Sequence, residues 1–324
     1  EAGSAIGGAL FEENVVYDNW SVNVYIDNQA NAVIRNNLIF DHPADLNDLL
    51  YTGDTYWTED VGRKLVPVGV MLGDEEWQSD ATNHYANLDG TKVYDNVIAN
   101  CRVAVRDYAE GPNAIAWHGL KNTTIANNTI LLPAYASPDY AAGIEVLDNK
   151  TPSGTERNVN SVIANNVVYG FGNGLVAISR QASALAGVAF DRNIYFGAAS
   201  ASFGYGSPVT TTNFAGWKGQ FPGLDAQSLW QDPQLVDVTR FGASAAAVPV
   251  YDWTFAALTA TSPAKDMGLS LAPLFTNDFA LLLRPQGMAW DAGALEFLPC
   301  ATGDVGAPTV TAPAAVAVTQ TLCP

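Results

Sequence analysis

The residues best equipped for chemistry gather between positions 41 and 90. Asp54, Glu59, Asp60, Asp74, Glu75, Glu76 and Asp80 stand there beside Tyr51, Tyr56, Trp57, Trp77, His84 and Tyr85. Aromatic faces stack on sugar rings, while paired carboxyls can protonate a glycosidic oxygen and attack the ring carbon. Asp74 and Glu75 are therefore candidate catalytic acids, and Tyr56, Trp57, Trp77 and Tyr85 candidate substrate-binding residues. The same composition also suits a solvated acidic loop whose aromatics pack back on the fold. His118 and Lys121, in Trp117-His118-Gly119-Leu120-Lys121, are further catalytic candidates. Arg102, Arg106 and Lys121 could neutralise a uronate carboxylate, one of them acting as base. Against that, Arg106 could simply pair with Asp107 or Asp74 across strands.

A second set is acidic and periodic. Short apolar runs end in Asp27, Asp74, Asp107 and Asp148. If these runs are strands in register, the four acids form a column with a step of about 4.8 Å. Such a column would suit Ca²⁺, which takes roughly six to eight oxygen ligands. It would equally suit a row of turn-capping carboxylates bonded to backbone amides. No other cofactor is indicated: the chain has no P-loop, no Gly-rich dinucleotide turn, no zinc-spaced Cys/His set and no serine-nucleophile elbow.

The elements that must position these groups carry a repeat. Polar residues ending in Asn lie between two β-rich runs at Asn14, Asn37, Asn96, Asn128, Asn166 and Asn193. The spacings are 23, 59, 32, 38 and 27 residues. Asn tolerates the left-handed conformation that bends one strand into the next, and stacked amides can bond from coil to coil. An all-β, right-handed parallel β-helix (a solenoid) follows, with a bare coil of about 22 residues and loop insertions in the longer intervals. Residues 1–205 form the coils, with insertions 41–64 and 75–90 flanking a strand over 66–72. Residues 206–240 are an irregular connection, 241–299 terminal coils or a cap, and 300–324 a β-prone tail. Short helices are expected within 45–50 and 213–229.

Composition narrows the partners. The chain carries 33 acids against 15 bases, a net charge of −18. Such a surface repels nucleic acid and anionic membranes. No apolar run is long enough to span a bilayer as a helix. Glu1 opens straight into Gly- and Ala-rich sequence, as in a mature or trimmed product. Of the 3 cysteines, Cys300 and Cys323 bracket the tail and are expected to pair, tethering it, while Cys101 reads as a buried free thiol. One disulfide suits an extracellular or cell-surface protein.

The C-terminal third adds a resemblance. Its residues are Trp230-Gln231-Asp232-Pro233-Gln234-Leu235-Val236-Asp237, Ser262-Pro263-Ala264-Lys265-Asp266-Met267-Gly268, Arg284-Pro285 and Asp291-Ala292-Gly293-Ala294-Leu295-Glu296. With the Asn repeats, they make most of residues 9–297 resemble secreted bacterial right-handed β-helix proteins of the pectate-lyase-like superfamily. The resemblance implies the fold; its members include lyases, glycosidases, epimerases, adhesins and non-catalytic surface proteins. His118-Gly119 resembles one element of the pectin-cleaving glycosidases, but that family's paired acids and Arg-Ile-Lys are absent. The expected function is therefore an extracellular, non-catalytic surface or adhesive subunit that assembles head-to-tail with itself into filaments. The alternative is a polysaccharide lyase, glycosidase or carbohydrate-binding protein using a groove beside 41–90.

Overall fold

Each recurrence of the asparagine sits at a corner between two short strands. The structure, a computed structural model, describes residues 8–19, 21–27, 29–41, 68–75, 88–110, 119–132, 142–147, 158–170, 174–179, 185, 187–197, 202–206, 210–240 and 252–298. The strand before each corner joins a first sheet: Leu10–Glu12, Val33–Arg35, Lys92–Tyr94, Thr124–Ala126, Ser161–Ala164 and Val188–Asp191. The strand after it joins a second: Val15–Tyr17, Leu38–Phe40, Val97–Ala99, Thr129–Leu131, Val167–Gly170, Ile194–Gly197 and Leu229–Trp230. A third sheet holds Val22–Asp27, Val68–Glu75, Val103–Glu110, Ala142–Leu147, Gly174–Ser179 and Ser202–Gly206. Every pairing among these strands is parallel; only Thr210–Thr212 joins the third sheet antiparallel. This is a parallel β-helix.

Strand alternation explains what fills it. Ile34, Val93, Ile125, Ile163 and Phe190 turn inward from the first sheet, Ile39, Ile98, Ile130, Val168 and Tyr195 from the second. Val70, Val105, Ile144, Val176 and Phe203 do so from the third. Like stacks on like because the register places Val93 beside Ile34 and Ile125. β-branched side chains suit this pleated, buried surface.

The corner divides its work between two adjacent residues. The first of each pair (Glu13, Asn36, Asp95, Asn127, Asn165, Arg192) has a φ between 50° and 57°. That left-handed residue makes the bend and turns its side chain outward. The second is the ladder asparagine, which is not left-handed and points inward. Asn37 Nδ2 donates to Asn96 Oδ1 at 3.0 Å, Asn96 to Asn128 at 3.0 Å and Asn128 to Asn166 at 3.0 Å. From Asn14 to Asn166 the backbone N–H of each ladder residue donates to the same oxygen of the next coil, as Asn96 does to Asn128 at 3.1 Å. Both lone pairs of each buried amide oxygen are thereby used, as a dry interior demands.

At its C-terminal end the ladder runs into a carboxylate. Asn193 Nδ2 donates to Asp225 Oδ1 at 3.1 Å, and Tyr195 Oη, Trp217 Nε1 and Ser228 Oγ donate to the same carboxyl. Trp217 belongs to α1 (Phe214–Gln220), inside the segment predicted to be helical, and is fully buried over Phe190 and Phe203. Asp225 N–H also caps the last strand of the first sheet by donating to Phe190 O at 2.7 Å.

Residues 252–298 lie along the outside rather than at an end. Phe255, Leu258, Ala292, Ala294 and Leu295 pack on the outward residues of the second sheet, Leu38, Phe40, Val97, Leu131 and Val167. Phe275 and Trp290 do the same over Tyr94 and Ala126 of the first sheet. Approach is closest at Gly293, whose φ is 93°; a Cβ there would stand 2.9 Å from Thr129 Oγ1. The left-handed corner residues hold this cover: Asn36 Nδ2 donates to Asp278 O at 3.0 Å, Asn127 Nδ2 to Asp291 O at 2.9 Å and Arg192 Nη1 to Met267 O at 2.7 Å. Cys101 is free and buried; Cys300, Cys323 and the tail lie outside the described residues.

Candidate functional site

The third sheet differs from the other two, because no described residue of the 252–298 cover packs on its outer face. Its strands also meet the two longest insertions. Residues 42–67 lead from the second sheet into Val68–Glu75, and 76–87 lead on to the first sheet. On this face one row runs Tyr25, Met71, Arg106, Glu145 by strand register. Arg106 Nε lies 3.0 Å from Glu145 Oε2, and its guanidinium stands 5.3 Å from the centre of the Tyr108 ring. Burial pushes the Glu145 carboxyl above its usual range, against the pull of Arg106. Tyr25 is 41% exposed, so the row opens to solvent at that strand.

The register also corrects the acidic column. Asp27 lies opposite Gly73, Asp107 opposite Leu72, and Asp74 opposite Ala109, so the three acids occupy three different positions. A slip of one residue reverses the face of a strand. Asp27 is accordingly exposed, while Asp107 is buried level with Leu72 of the interior. Asp148 lies outside the described residues. Among those described, no group of three or more His, Cys, Asp or Glu is arranged to hold a metal ion. Arg106 pairs with Glu145 of the neighbouring strand.

The other predicted residues scatter. Asp74 and Glu75 end the strand Val68–Glu75, opposite Ala109 and Glu110. Lys121 sits at the corner between the third and first sheets, bridged to Val159. Tyr56, Trp57, Trp77, Tyr85 and His118 lie outside the described residues. Glu145 was legible but overlooked: Val105-Arg106 and Ile144-Glu145 each set a charge just after an inward aliphatic.

Two buried polar clusters were not anticipated. At the corner between the second and third sheets, Asp41 takes Asn23 Nδ2 at 3.3 and 3.4 Å and the Asp18 N–H at 3.2 Å, with Cys101 alongside. Burial pushes the Asp41 carboxyl up to about 7, opposed by the Asn23 and Cys101 hydrogen bonds. The folded chain therefore holds this proton more tightly than the unfolded chain, whose aspartates titrate near about 3.9. Stability from Asp41 must then grow as pH falls through the folded value, and be lost as pH rises through it. The melting temperature should rise between pH 8 and 5, and Asp41→Asn should flatten that rise. A melting temperature that falls on acidification over this range, or a slope untouched by the substitution, would count against it.

The second cluster centres on Arg284, which is fully buried. Its Nη2 meets Asp95 Oδ1 at 2.7 Å and its Nη1 meets Glu296 Oε1 at 2.6 Å. Nη1 also donates to Asp291 O at 3.2 Å, and Nη2 to Gly293 O at 3.0 Å. The chain matches no protein-family model and no curated protein, so these arrangements must be interpreted from their own chemistry. No described helix is long and apolar enough to cross a membrane.

Proposed function

We propose that the chain is an extracellular, non-catalytic β-helix of the surface or adhesive kind, which holds a polysaccharide along the outer face of its third sheet. The observation that carries this reading is the row Tyr25–Met71–Arg106–Glu145, on which no described residue of 252–298 packs and which opens to solvent at Tyr25, in a sheet whose strand Val68–Glu75 lies in sequence between the two longest insertions. Its charged pair favours binding over cleavage. A lyase or glycosidase needs a base or carboxyl free to reach substrate, whereas Glu145 is buried and stands as an ion pair with Arg106 at 3.0 Å. The net charge of −18 favours neutral glycans over anionic ones. The likeness of residues 230–296 to secreted bacterial pectate-lyase-like proteins supports the compartment. Head-to-tail stacking of coils fits less well: α1 and Thr210–Thr212 occupy the C-terminal end, so a filament would have to be built through the 300–324 tail.

A panel of neutral and acidic polysaccharides should show binding without shortening of the polymer, and Tyr25→Ala should weaken it by about tenfold, the loss of one stacking contact. Cleavage that disappears in Glu75→Gln would establish the enzymatic alternative instead. Neither binding nor cleavage across the panel would sink both.

A further inference from the structure

We propose that Arg284 and the carboxyls around it form a proton-held latch: the cover, residues 252–298, stays docked on the β-helix while the cluster keeps a proton and loosens when that proton is lost. The geometry sets one guanidinium among four carboxyls. Asp95 comes from the corner column of the β-helix; Asp278, Asp291 and Glu296 come from the cover. All are buried. If every one ionised, a single positive charge would face four negative ones in a dry interior, which is costly.

Three of the carboxyls each accept two backbone N–H groups, which oppose the upward push of burial on Asp278 and on Asp291, the latter raised to about 6. Asp278 accepts the N–H groups of Leu282 and Glu296 at 2.8 and 2.9 Å. Asp291 accepts those of Asp266 and Phe297 at 2.7 and 2.6 Å. Glu296 accepts those of Asp291 and Gln286 at 2.9 and 2.8 Å. Asp95 differs. Its Oδ1 meets only Arg284, and its Oδ2 is buried with no hydrogen-bond partner. The excess proton therefore belongs on Asp95. Burial pushes that carboxyl well above its usual range, Arg284 pulls it back, and Asp278 and Glu296 push it further. The nearest other titratable groups are Tyr94 and Arg35 on the first sheet, and Asp266 in the cover. Arg35 is already engaged by Glu12 at 2.7 Å and Tyr94 at 3.1 Å.

Asp95 is also the one member of the cluster that belongs to the β-helix, so its link to Arg284 crosses the junction itself. Undocking would wet Asp95 and return it to an ordinary carboxyl. The docked state thus binds one proton more than the undocked state, and opening must become easier as pH rises, by up to about tenfold per pH unit until the proton is gone. What opening would bare is the apolar outer face of the second sheet, Leu38, Phe40, Val97 and Leu131 among it.

Amide hydrogen exchange on the full chain, corrected for intrinsic rates, tests this. Protection of amides in 252–298 should fall by about tenfold or more from pH 5 to 8, while the ladder amides of Asn96, Asn128 and Asn166 keep theirs. Asp95→Asn, which keeps an oxygen for Arg284 but cannot titrate, should reduce that fall, leaving the part that belongs to Asp291. A flat profile, an equal loss in the ladder, or an unchanged decline in Asp95→Asn would overturn the proposal. Should that variant fail to fold, the infrared carbonyl band of a protonated carboxyl decides, read in an Asp41→Asn background so that Asp41 does not contribute: present at pH 6 and lost by pH 9 is expected, and its absence throughout overturns the latch.

Discussion

Asn128→Ala should destabilise the protein by about 4–6 kcal/mol, read as a shift of the denaturant midpoint. The side chain is fully buried at the middle of the ladder. Its Oδ1 accepts two donors from the coil before, Asn96 N–H at 3.1 Å and Asn96 Nδ2 at 3.0 Å. Its Nδ2 donates to Val93 O at 3.0 Å and to Asn166 Oδ1 at 3.0 Å. Removing it leaves buried donors and acceptors that no water can reach, each worth about 1–3 kcal/mol, and adds a small cavity. Asn14 is the control. It stands at the first rung and is only part-buried, so water can replace what is lost and the cost should be about 1 kcal/mol. Equal losses at the two positions would show that burial of the rung is not what makes it matter.

Arg284→Met should cost about 3–5 kcal/mol, the penalty for stripping a buried carboxylate of its cation. Met roughly preserves the volume and the contact with Trp290, whose ring centre lies 5.6 Å from the guanidinium. What goes is the only cation of the cluster, leaving Asp95 and Glu296 without the partners they meet at 2.7 and 2.6 Å. Adding Asp95→Asn to this variant should change the loss little at pH 6, where Asp95 already holds the proton, and recover part of it at pH 9, where a stranded Asp95 carboxylate is replaced by a neutral amide. Calorimetry of the single and double variants measures both effects; a single variant within about 1 kcal/mol of the native chain would mean the cluster is slack.

How much of this was legible depended on sequence separation. The ladder was visible because its residues are of one type and its neighbours are flanked by similar runs. What the spacing could not show was the division of labour at the corner, where Asp95 bends the chain and Asn96 forms the rung. Single residues that could do either job look alike in a row of letters. The acidic column failed for a related reason. Aligning strands by their terminal acid ignored register, and the pairing of Asp27 with Gly73 and of Leu72 with Asp107 moves the acids to different faces. The Arg284 cluster was out of reach altogether, for it joins Asp95 to Arg284 across 189 residues. Nothing local marks such a pair. Of the third sheet, Asp74 and Glu75 were singled out and end the strand Val68–Glu75, whereas Glu145, in the next strand but one, was not.

The carboxylate at the end of the ladder carries a meaning beyond stability. An amide both gives and takes, so every asparagine rung can be followed by another of its kind. The Asp225 side chain only takes in the bonds it makes, and it receives the last donation with nothing to pass on. It acts as a full stop. The number of coils is thus written not in the coils but in the position of one residue. A gene duplication that copies any interior coil lengthens the rod without disturbing its terminus, because each rung asks of its neighbour only what it offers itself.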